Sequence, residues 1–406
     1  MVNISESDAN TVRVAVSEIS FWLGSGNMRR YQFALVPFVF GIVLSLSPSQ
    51  LSGQTPTQRE VASSSIDWSS LKGLKYRYAP VAIEEGGKRY LYYCANVDRE
   101  DRPVITDHIM LRIGVKQGAS WVYGPEKIVL RPSEKRTPSD DIWDLRHVCD
   151  PAVVAGEFRY RPPDFENEET FSYALFYLGL DKEIEDGGTN QIGVAVSQKL
   201  EGPWFKVGGN PLIRSREPGT WGVGQPSVCN RNQGGGRVTL FYTRGDRTRT
   251  ATFFQEVDLS EAQQPKFGGE QQVTTNGLTQ RNGEADLTNN GGDFLFDETR
   301  NRFWIIRPGH PHSSVCPSFI SDFIQLAWID AGALTEGRWK VQCDLSPPLP
   351  PASRYFDPGF VSDPFGAACD GQSLTVMPSI SRAGENCPHN WLYSYRIKQL
   401  TIRDLD

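Results

Sequence analysis

The sequence lacks the features that mark several large classes of protein. Its Lys and Arg residues are scattered and its net charge is −6, so no basic stripe is available for nucleic acid. None of its seven cysteines has Cys-x-x-Cys spacing, which argues against the common zinc clusters. No stretch has the periodicity of a long amphipathic helix. We therefore expect an all-β protein that has no metal cluster and no nucleic-acid partner.

A membrane-spanning hydrophobic run is also missing. The apolar stretch 33–46 is interrupted by Pro37 and Gly41 and is too short to cross a bilayer comfortably. It follows Met28-Arg29-Arg30 and precedes a polar stretch, which is the layout of a secretory signal peptide. We expect residues 1–54 to be an N-terminal extension with the signal peptide at 28–54. Translation would start at Met28, and the product would be secreted or periplasmic, with no stable membrane insertion after cleavage. An uncleaved anchor is the alternative.

The cysteines are few enough to be considered one by one. In an exported protein they permit up to three disulfides. The preferred disulfide candidates lie in loop-like stretches: Cys316, Cys343 and Cys387. The others that lie in or near innermost strands are expected to be small buried hydrophobic residues: Cys149, Cys229 and Cys369.

What the sequence does contain is a repeat, which is clearest around Asp150. There, Arg-His-Val-Cys-Asp-Pro-Ala-Val-Val is followed by Tyr-Ala-Leu-Phe-Tyr-Leu-Gly, then Ile-Gly-Val-Ala-Val-Ser, then Leu-Glu-Gly-Pro-Trp. Short runs of β-branched and aromatic residues bounded by Gly, Pro or Asp are typical of strands. Four successive strands make one propeller blade. The pattern recurs about every 70 residues, with these opening residues: Ala79, Asp150, Gln225, Asp293 and Asp370.

Five repeats predict an all-β fold, a five-bladed β-propeller with four-stranded antiparallel blades. We expect it to occupy residues 71–406 as a single domain. The fifth blade is predicted at Asp370–Ile402, and the Pro-rich stretch 346–363 before it is predicted to be a rim loop. A β-sandwich is the alternative, because strand-turn-strand patterns of this density occur there too.

The opening residues of the repeats indicate where chemistry would take place. In a propeller the first strand of each blade lines the central channel, so the opening residues should converge at the axis. Asp150, Asp293 and Asp370 would then bring carboxylates together. Glycoside hydrolysis needs one such group to protonate the leaving oxygen and another to activate water or attack carbon.

The strand pair Asp-Pro-Ala-Val-Val … Tyr-Ala-Leu-Phe-Tyr and the strands after it resemble the five-bladed propeller glycoside hydrolases of families 43, 62, 32 and 117. In family 43 an Asp opening the first blade is the base, an Asp in the second blade tunes pKa, and a Glu opening the third is the acid. By this resemblance the three positions fall on Ala79, Asp150 and Gln225. Ala79 and Gln225 cannot transfer a proton, so the chain departs from the family pattern at two of three positions.

Three interpretations follow: a divergent glycosidase, a propeller that binds glycans without cleaving them, and an exported propeller that serves protein partners. We favour hydrolysis of a poly- or oligosaccharide, with a non-catalytic carbohydrate-binding propeller as the alternative. The predicted catalytic residues are Asp150, Asp293, Asp370 and His310. The predicted substrate-binding residues are Gln225, Trp221, Arg244, His147, Arg307 and Trp391.

Each prediction has a structural alternative. Asp293 and Asp370 could be ordinary turn carboxylates, and Arg244 could pair with Asp246. The predicted partner is a carbohydrate, and no metal site or cofactor is predicted. A structural Ca²⁺ on the axis is the one option left open, because oxygen ligands would converge there.

Overall fold

A computed structural model describes most of the chain after residue 60. The described residues are 61–66, 76–97, 106–135, 137, 139–182, 184–312, 320–347, 353–382 and 395–405. All of them belong to one compact unit, Pro56–Asp406. The predicted signal peptide at 28–54 lies outside the described residues.

The described residues form 22 strands and one short 3-10 helix, Ile184–Asp186. The first strand, β1 (Val61–Ser65), stands apart in sequence from the rest. Blade one contains β2 (Tyr78–Glu85), β3 (Lys88–Asn96), β4 (Asp107–Gln117), β5 (Ser120–Tyr123) and β6 (Lys127–Leu130). Blade two contains β7 (His147–Tyr160), β8 (Glu169–Leu180), β9 (Gln191–Ser197) and β10 (Phe205–Lys206).

The other three blades follow in chain order. Blade three contains β11 (Gly222–Cys229), β12 (Arg237–Gly245), β13 (Thr250–Asp258), β14 (Lys266–Phe267) and β15 (Gln271–Gln272). Blade four contains β16 (Asp293–Asp297), β17 (Arg302–Pro308), β18 (Ile324–Asp330) and β19 (Lys340–Leu345). Blade five contains β20 (Ser353–Ser362), β21 (Ser373–Arg382), β22 (Arg396–Arg403) and, from the start of the chain, β1.

Within each blade the strands pair antiparallel, and most follow sequence order as in a meander. The exceptions are β6, which pairs with β4, β15, which pairs with β13, and β1, which pairs with β22. Blades one and five are joined into one nine-stranded sheet by a short parallel contact between β2 and β20. That contact consists of two pairs, Ala82 with Val361 and Ile83 with Ser362. The innermost strands of two neighbouring blades therefore touch directly, which shows how tightly the blades surround the axis.

Five hydrophobic clusters pack each blade against the next. Tyr92 of blade one and Val153 of blade two share one cluster, and four similar clusters lie between the remaining neighbours. The last of these joins Leu91 of blade one to Met377 of blade five, so the ring is closed by apolar packing. Burial of this kind contributes roughly 25 cal/mol per Å² of apolar surface. The all-β propeller prediction is confirmed.

The predicted composition of blade five is wrong at both of its edges. Its innermost strand is β20, which lies in the stretch 346–363 that we expected to be a rim loop. Its outer strand is β1, whose Val61 pairs with Ile402 and whose Ser65 pairs with Lys398. The fold therefore includes residues ahead of residue 71. No helix in the described part of the chain is long and apolar enough to cross a membrane.

Candidate functional site

Four of the innermost strands share an unusual backbone feature close to where they begin. In each, a residue with positive φ is followed by proline, and the pairing register shifts across the two. The positive-φ residues are Ala79, Asp150, Gln225 and Asp357, with φ of 49°, 46°, 50° and 35°. Proline cannot donate to the ladder and so is tolerated only at such an irregularity. The bulge points the residue before each proline away from the sheet and towards the axis.

In blade four a glycine takes the corresponding positive-φ position. Gly291 has φ of 60° and is followed by Gly292, directly before β16. A Cβ at residue 291 would lie 3.0 Å from Gln225 Nε2 and 3.5 Å from Asp357 Oδ1. Glycine is therefore required there both by the backbone conformation and by the side chains that cross in front of it.

These five positions line a single small cavity on the axis. Its walls are the opening residues of all five blades, together with their prolines and Asp293. The cavity measures about 40 Å³, which is room for about three water molecules at roughly 10–15 Å³ each. A water molecule or a reacting oxygen fits into it, whereas a whole sugar ring would have to lie at its mouth.

Gln225 connects two carboxyl groups across this cavity. Its side-chain Nε2 donates to Asp357 Oδ1 over 3.0 Å, and its backbone N–H donates to the carboxyl group of Asp150. Gln225 was predicted to contact substrate, but in the structure it fixes the geometry of two acids. The amide takes this position because the Gln225-Pro226 bulge points its side chain towards blade five.

Both of these acids hold their protons unusually tightly. Burial raises the pKa of Asp150 to about 7, the charge of Asp107 adds to the rise, and the N–H of Gln225 opposes it. Burial and the charge of Asp150 hold the pKa of Asp357 well above its usual range, although the Gln225 amide works in the other direction. Two carboxyl groups that face each other in this way favour a state in which one is protonated.

Three aromatic rings lie close to the two acids. Tyr78, Phe356 and Tyr395 form a cluster in which the ring centroids are 5.4–5.8 Å apart. Tyr78 precedes Ala79 and Phe356 precedes Asp357, so the cluster is adjacent to the cavity in sequence and space. Tyr395 is buried, while Tyr78 and Phe356 are partly exposed.

Asp293 lines the same cavity, but its carboxylate is already engaged. Its Oδ1 accepts from the Ser227 hydroxyl at 2.6 Å and from its neighbour's backbone N–H at 3.0 Å. Its Oδ2 accepts from the backbone N–H of Phe360 at 2.7 Å. Burial raises the pKa of Asp293 to about 6 despite these bonds. The side chain thus ties blades three, four and five together at the axis.

A disulfide lies beside the axial acids. Cys94 on β3 is bonded to Cys149 on β7, which joins blades one and two. The backbone N–H of Asp150 points at Cys94 Sγ over 3.0 Å. The prediction that Cys149 would be a lone buried hydrophobic residue is therefore wrong, because Cys94 lies opposite it across the blade interface. Two of the preferred disulfide candidates, Cys316 and Cys387, lie outside the described residues.

Asp370 is not an opening residue of a blade, and this prediction is wrong. It lies in the exposed turn between β20 and β21, where its Oδ1 accepts from the backbone N–H groups of Gln372 and Ser373. These bonds keep the pKa of Asp370 low, although partial burial works against them. The turn-carboxylate alternative describes it correctly. Asp357 occupies the axial position that we assigned to Asp370.

His310 and Arg307 belong to a buried polar cluster at the end of β17. Arg307 is completely buried and donates to Asp286 Oδ2 at 2.7 Å and to Gln325 Oε1 at 2.7 Å. His310 Nδ1 lies 3.1 Å from the same Asp286 oxygen, and its ring stacks on His312. The end of β17 is paired with the start of β18, one strand away from the axis. Arg307 is therefore buried among protein partners and is not exposed to a ligand.

Three of the remaining predicted binding residues also contact other parts of the protein. His147 is buried, and its Nδ1 accepts from the backbone N–H of Asp107 at 3.0 Å. Arg244 donates to Glu270 at 2.6 Å, whereas the Asp246 that we considered as its partner caps its own turn. Trp221 is partly buried, and its ring packs close to glycines 224 and 245. Trp391 lies outside the described residues.

A calcium ion on the axis was left open by the sequence and fits the described residues poorly. The unengaged oxygens at the cavity belong to Asp150, Asp357 and Gln225, whereas Ca²⁺ takes about six to eight oxygen ligands. No step of the chemistry proposed below depends on an ion.

Comparison with solved structures identifies the fold, whereas comparison with known sequences finds no match. No protein-family model and no curated protein matches the chain. Zg3597, a family 117 glycoside hydrolase of the marine bacterium Zobellia galactanivorans, matches with a TM-score of 0.54 at 13% identity, over 85% of this chain and 90% of that one. The α-L-arabinofuranosidase PaAbf62A from Podospora anserina matches with a TM-score of 0.52 at 9% identity, over 86% and 98%. A thermostable family-43 glycoside hydrolase matches with a TM-score of 0.50 at 13% identity, over 80% and 88%.

These neighbours are five-bladed propeller glycoside hydrolases, so the resemblance drawn from the sequence is confirmed. At such low identity the likeness shows the fold of the chain. Activity must be argued from the site itself.

Proposed function

We propose that the chain is a glycoside hydrolase in which Asp150 and Asp357 are the catalytic carboxyl groups. The observation that carries the proposal is the bridge made by Gln225, which holds the buried Asp357 and the partly buried Asp150 at one cavity. Glycoside hydrolysis requires such a pair of carboxyl groups. Likeness in fold to glycoside hydrolases supports the same reaction class.

The two acids divide the work between them. Burial and the charge of Asp150 hold the pKa of Asp357 well above its usual range, which favours its protonated form. Because its Oδ1 accepts from Gln225, that proton resides on Oδ2, where it can be given to a leaving oxygen. Asp150, with a pKa of about 7, is partly ionised at neutral pH and can take a proton from water. Two carboxyl groups that share one proton can supply one acid and one base.

The sugar would lie at the mouth of the cavity. Tyr78 and Phe356 are partly exposed next to the two acids, and aromatic rings are good platforms for the apolar face of a sugar. The cavity beneath them would hold the attacking water. This arrangement gives the aromatic cluster two tasks, namely desolvating the acids and seating the glycosyl unit.

A second candidate function is carbohydrate binding without hydrolysis. It is favoured by the narrowness of the axial cavity, about 40 Å³, and by the amide of Gln225 where the resemblance to family 43 implies an acid. In that case the two carboxyl groups would accept hydrogen bonds from sugar hydroxyls, and no bond would be cleaved.

We also propose that the protein is exported, with its signal peptide at 28–54. The disulfide between Cys94 and Cys149 supports this proposal, because disulfides form and persist in oxidising compartments and are rare in the cytosol.

The decisive experiment is release of reducing ends from arabinan, arabinoxylan, xylan, fructan and agar oligosaccharides. Asp150→Asn and Asp357→Asn should each lower the rate by about 10²–10⁴-fold, the usual contribution of a general acid or base. The matched control is Asp370→Asn, which makes the same chemical change at an exposed turn and should behave as wild type. Binding without release by the wild type would establish the second candidate instead.

A further inference from the structure

A second recess lies between blades one and two, away from the axis. It is a groove of about 630 Å³, lined among others by Ser133, Trp143, Asp144, Lys206 and Asn210. It shares no lining residue with the axial cavity. Its size falls within the roughly 300–1,000 Å³ of small-molecule sites, which is far larger than the axial cavity.

Trp143 forms a fixed platform in this groove. Its indole ring stacks on Tyr177 with the ring centroids 5.5 Å apart and the planes inclined at 30°. It lies directly against Gly179 and Gly193, where a Cβ on either residue would overlap the ring. The glycines on β8 and β9 of blade two therefore make room for the ring of this tryptophan. Part of the ring remains exposed and faces the groove.

The contacts of Lys206 show that the groove is built by blade two and by the connector that follows blade one. Its Nζ donates to the backbone oxygen of Arg131 at 2.7 Å and to Ser133 Oγ at 2.8 Å, both in the connector that follows blade one. It also donates to Asp144 Oδ2 at 2.6 Å. The ammonium and the carboxylate neutralise each other, so the inner wall favours a neutral ligand.

Asp144 leaves one strong acceptor unused. The residue is 1% exposed, and its Oδ2 accepts from Lys206 and from the Tyr177 hydroxyl at 3.1 Å. Its Oδ1 is buried and has no donor. A buried carboxylate oxygen without a donor is unfavourable. A ligand hydroxyl that reached this wall would supply the missing hydrogen bond.

We propose that this groove is a second carbohydrate site, which binds a neutral glycosyl unit on Trp143 and takes a hydroxyl hydrogen bond at Asp144. The combination of a partly exposed aromatic ring with a neighbouring carboxylate acceptor suits the two faces of a sugar, one apolar and one hydroxylated. The choice of a sugar rests on the proposed function, whereas the groove and its unpaired oxygen do not. Its occupancy would hold a polysaccharide on the enzyme while the axial acids act on another unit.

The test is affinity electrophoresis of the full chain in native gels that contain arabinoxylan, arabinan or xylan. Asp150→Asn serves as the background, so that the polysaccharide is not degraded. Adding Trp143→Ala should weaken retention about tenfold, as expected for the loss of one stacked ring. Adding Trp121→Ala is the matched control, because that ring lies on β5 and is covered by the guanidinium of Arg89 at 4.4 Å.

The outcomes separate this proposal from the proposed function. Weaker retention with Trp143→Ala and unchanged retention with Trp121→Ala would support the second site even if no reducing ends are released by the wild type. Equal retention of both variants, or no retention of the background protein in any of the three gels, would overturn it. If Trp143→Ala does not fold, Trp143→Leu decides, because it fills part of the same space without an aromatic face. Retention equal to the background would then overturn the proposal, and a threefold or larger weakening would support it.

Discussion

Replacing Asp150 by Asn should make the protein more stable at alkaline pH while it lowers the activity. The carboxyl group of Asp150 is buried beside Asp357, and in the folded protein it ionises only with difficulty. Asn has nearly the same shape, can accept the same backbone hydrogen bond from Gln225 and never carries a charge. The substitution therefore removes an electrostatic penalty that the wild type carries for the sake of its site.

The magnitude follows from the shift in pKa. Asp150 has a pKa of about 7 when folded against an ordinary value of 3.8. Because the folded pKa is the higher one, the stability that its proton contributes is fully present below about pH 4 and is lost as the pH rises through 7. At about 1.4 kcal/mol per pKa unit, some 2.5 kcal/mol of this loss falls between pH 5 and pH 8. Since water reaches the residue through the cavity, we expect about 1–2.5 kcal/mol.

The assay is the free energy of unfolding in urea, followed by tryptophan fluorescence at pH 5 and at pH 8. The quantity to compare is the stability of Asp150→Asn minus that of wild type at each pH. We expect it to increase by about 1–2.5 kcal/mol from the lower to the higher pH. Asp370→Asn is the control. The pKa of Asp370 is lowered by its turn hydrogen bonds, so its contribution is lost only at acid pH and the difference should stay flat.

A pH-independent difference for Asp150→Asn, within about 0.5 kcal/mol, would refute the reasoning. It would mean that the carboxyl group is solvated or paired with a cation in the folded protein. The assignment of Asp357 and Asp150 as acid and base would then lose its electrostatic basis.

Two further predictions concern the surroundings of the acids. Gly291→Ala and Gly283→Ala both place a side chain at positive φ and should each destabilise by about 1 kcal/mol. Only residue 291 faces Gln225, so the rate of reducing-end release should fall at least tenfold for Gly291→Ala alone, and equal rates would contradict the bridging role of Gln225. Replacing both Cys94 and Cys149 by Ala should lower the free energy of unfolding by about 4 kcal/mol, from the entropy of a 55-residue loop. The exposed Cys369→Ala should change it by less than about 0.5 kcal/mol, and similar losses for both changes would argue against the bond.

The sequence predicted those parts of the structure that depend on a short local motif. Ala79, Asp150 and Gln225 each precede a proline, and a proline at the start of an apolar run is a local feature that implies an irregular strand opening. Asp357-Pro358 is the same motif. It was missed because it lies in a Pro-rich stretch that looks like a loop. Asp370-Gly371 was chosen instead because the alternating run after it looks like the first strand of a blade. In the structure that run is β21, the second strand of blade five.

Other features depend on contacts between distant segments and leave no local pattern. Nothing near Cys94 indicates that Cys149 will lie opposite it, because that contact exists only once two blades have packed together. The bridge from Gln225 to Asp357 likewise spans 132 residues of sequence. The raised pKa values follow from this assembly and are beyond any analysis of composition or spacing.

The strand that completes blade five has a consequence for how the protein is made. On the ribosome β1 emerges first and β22 last, with more than three hundred residues between them. Until the final strand is available, β1 has no partner and the growing ring has two open edges, which are sites for aggregation. Because β1 is the outer strand of blade five, that blade is complete only when the two ends of the chain have met.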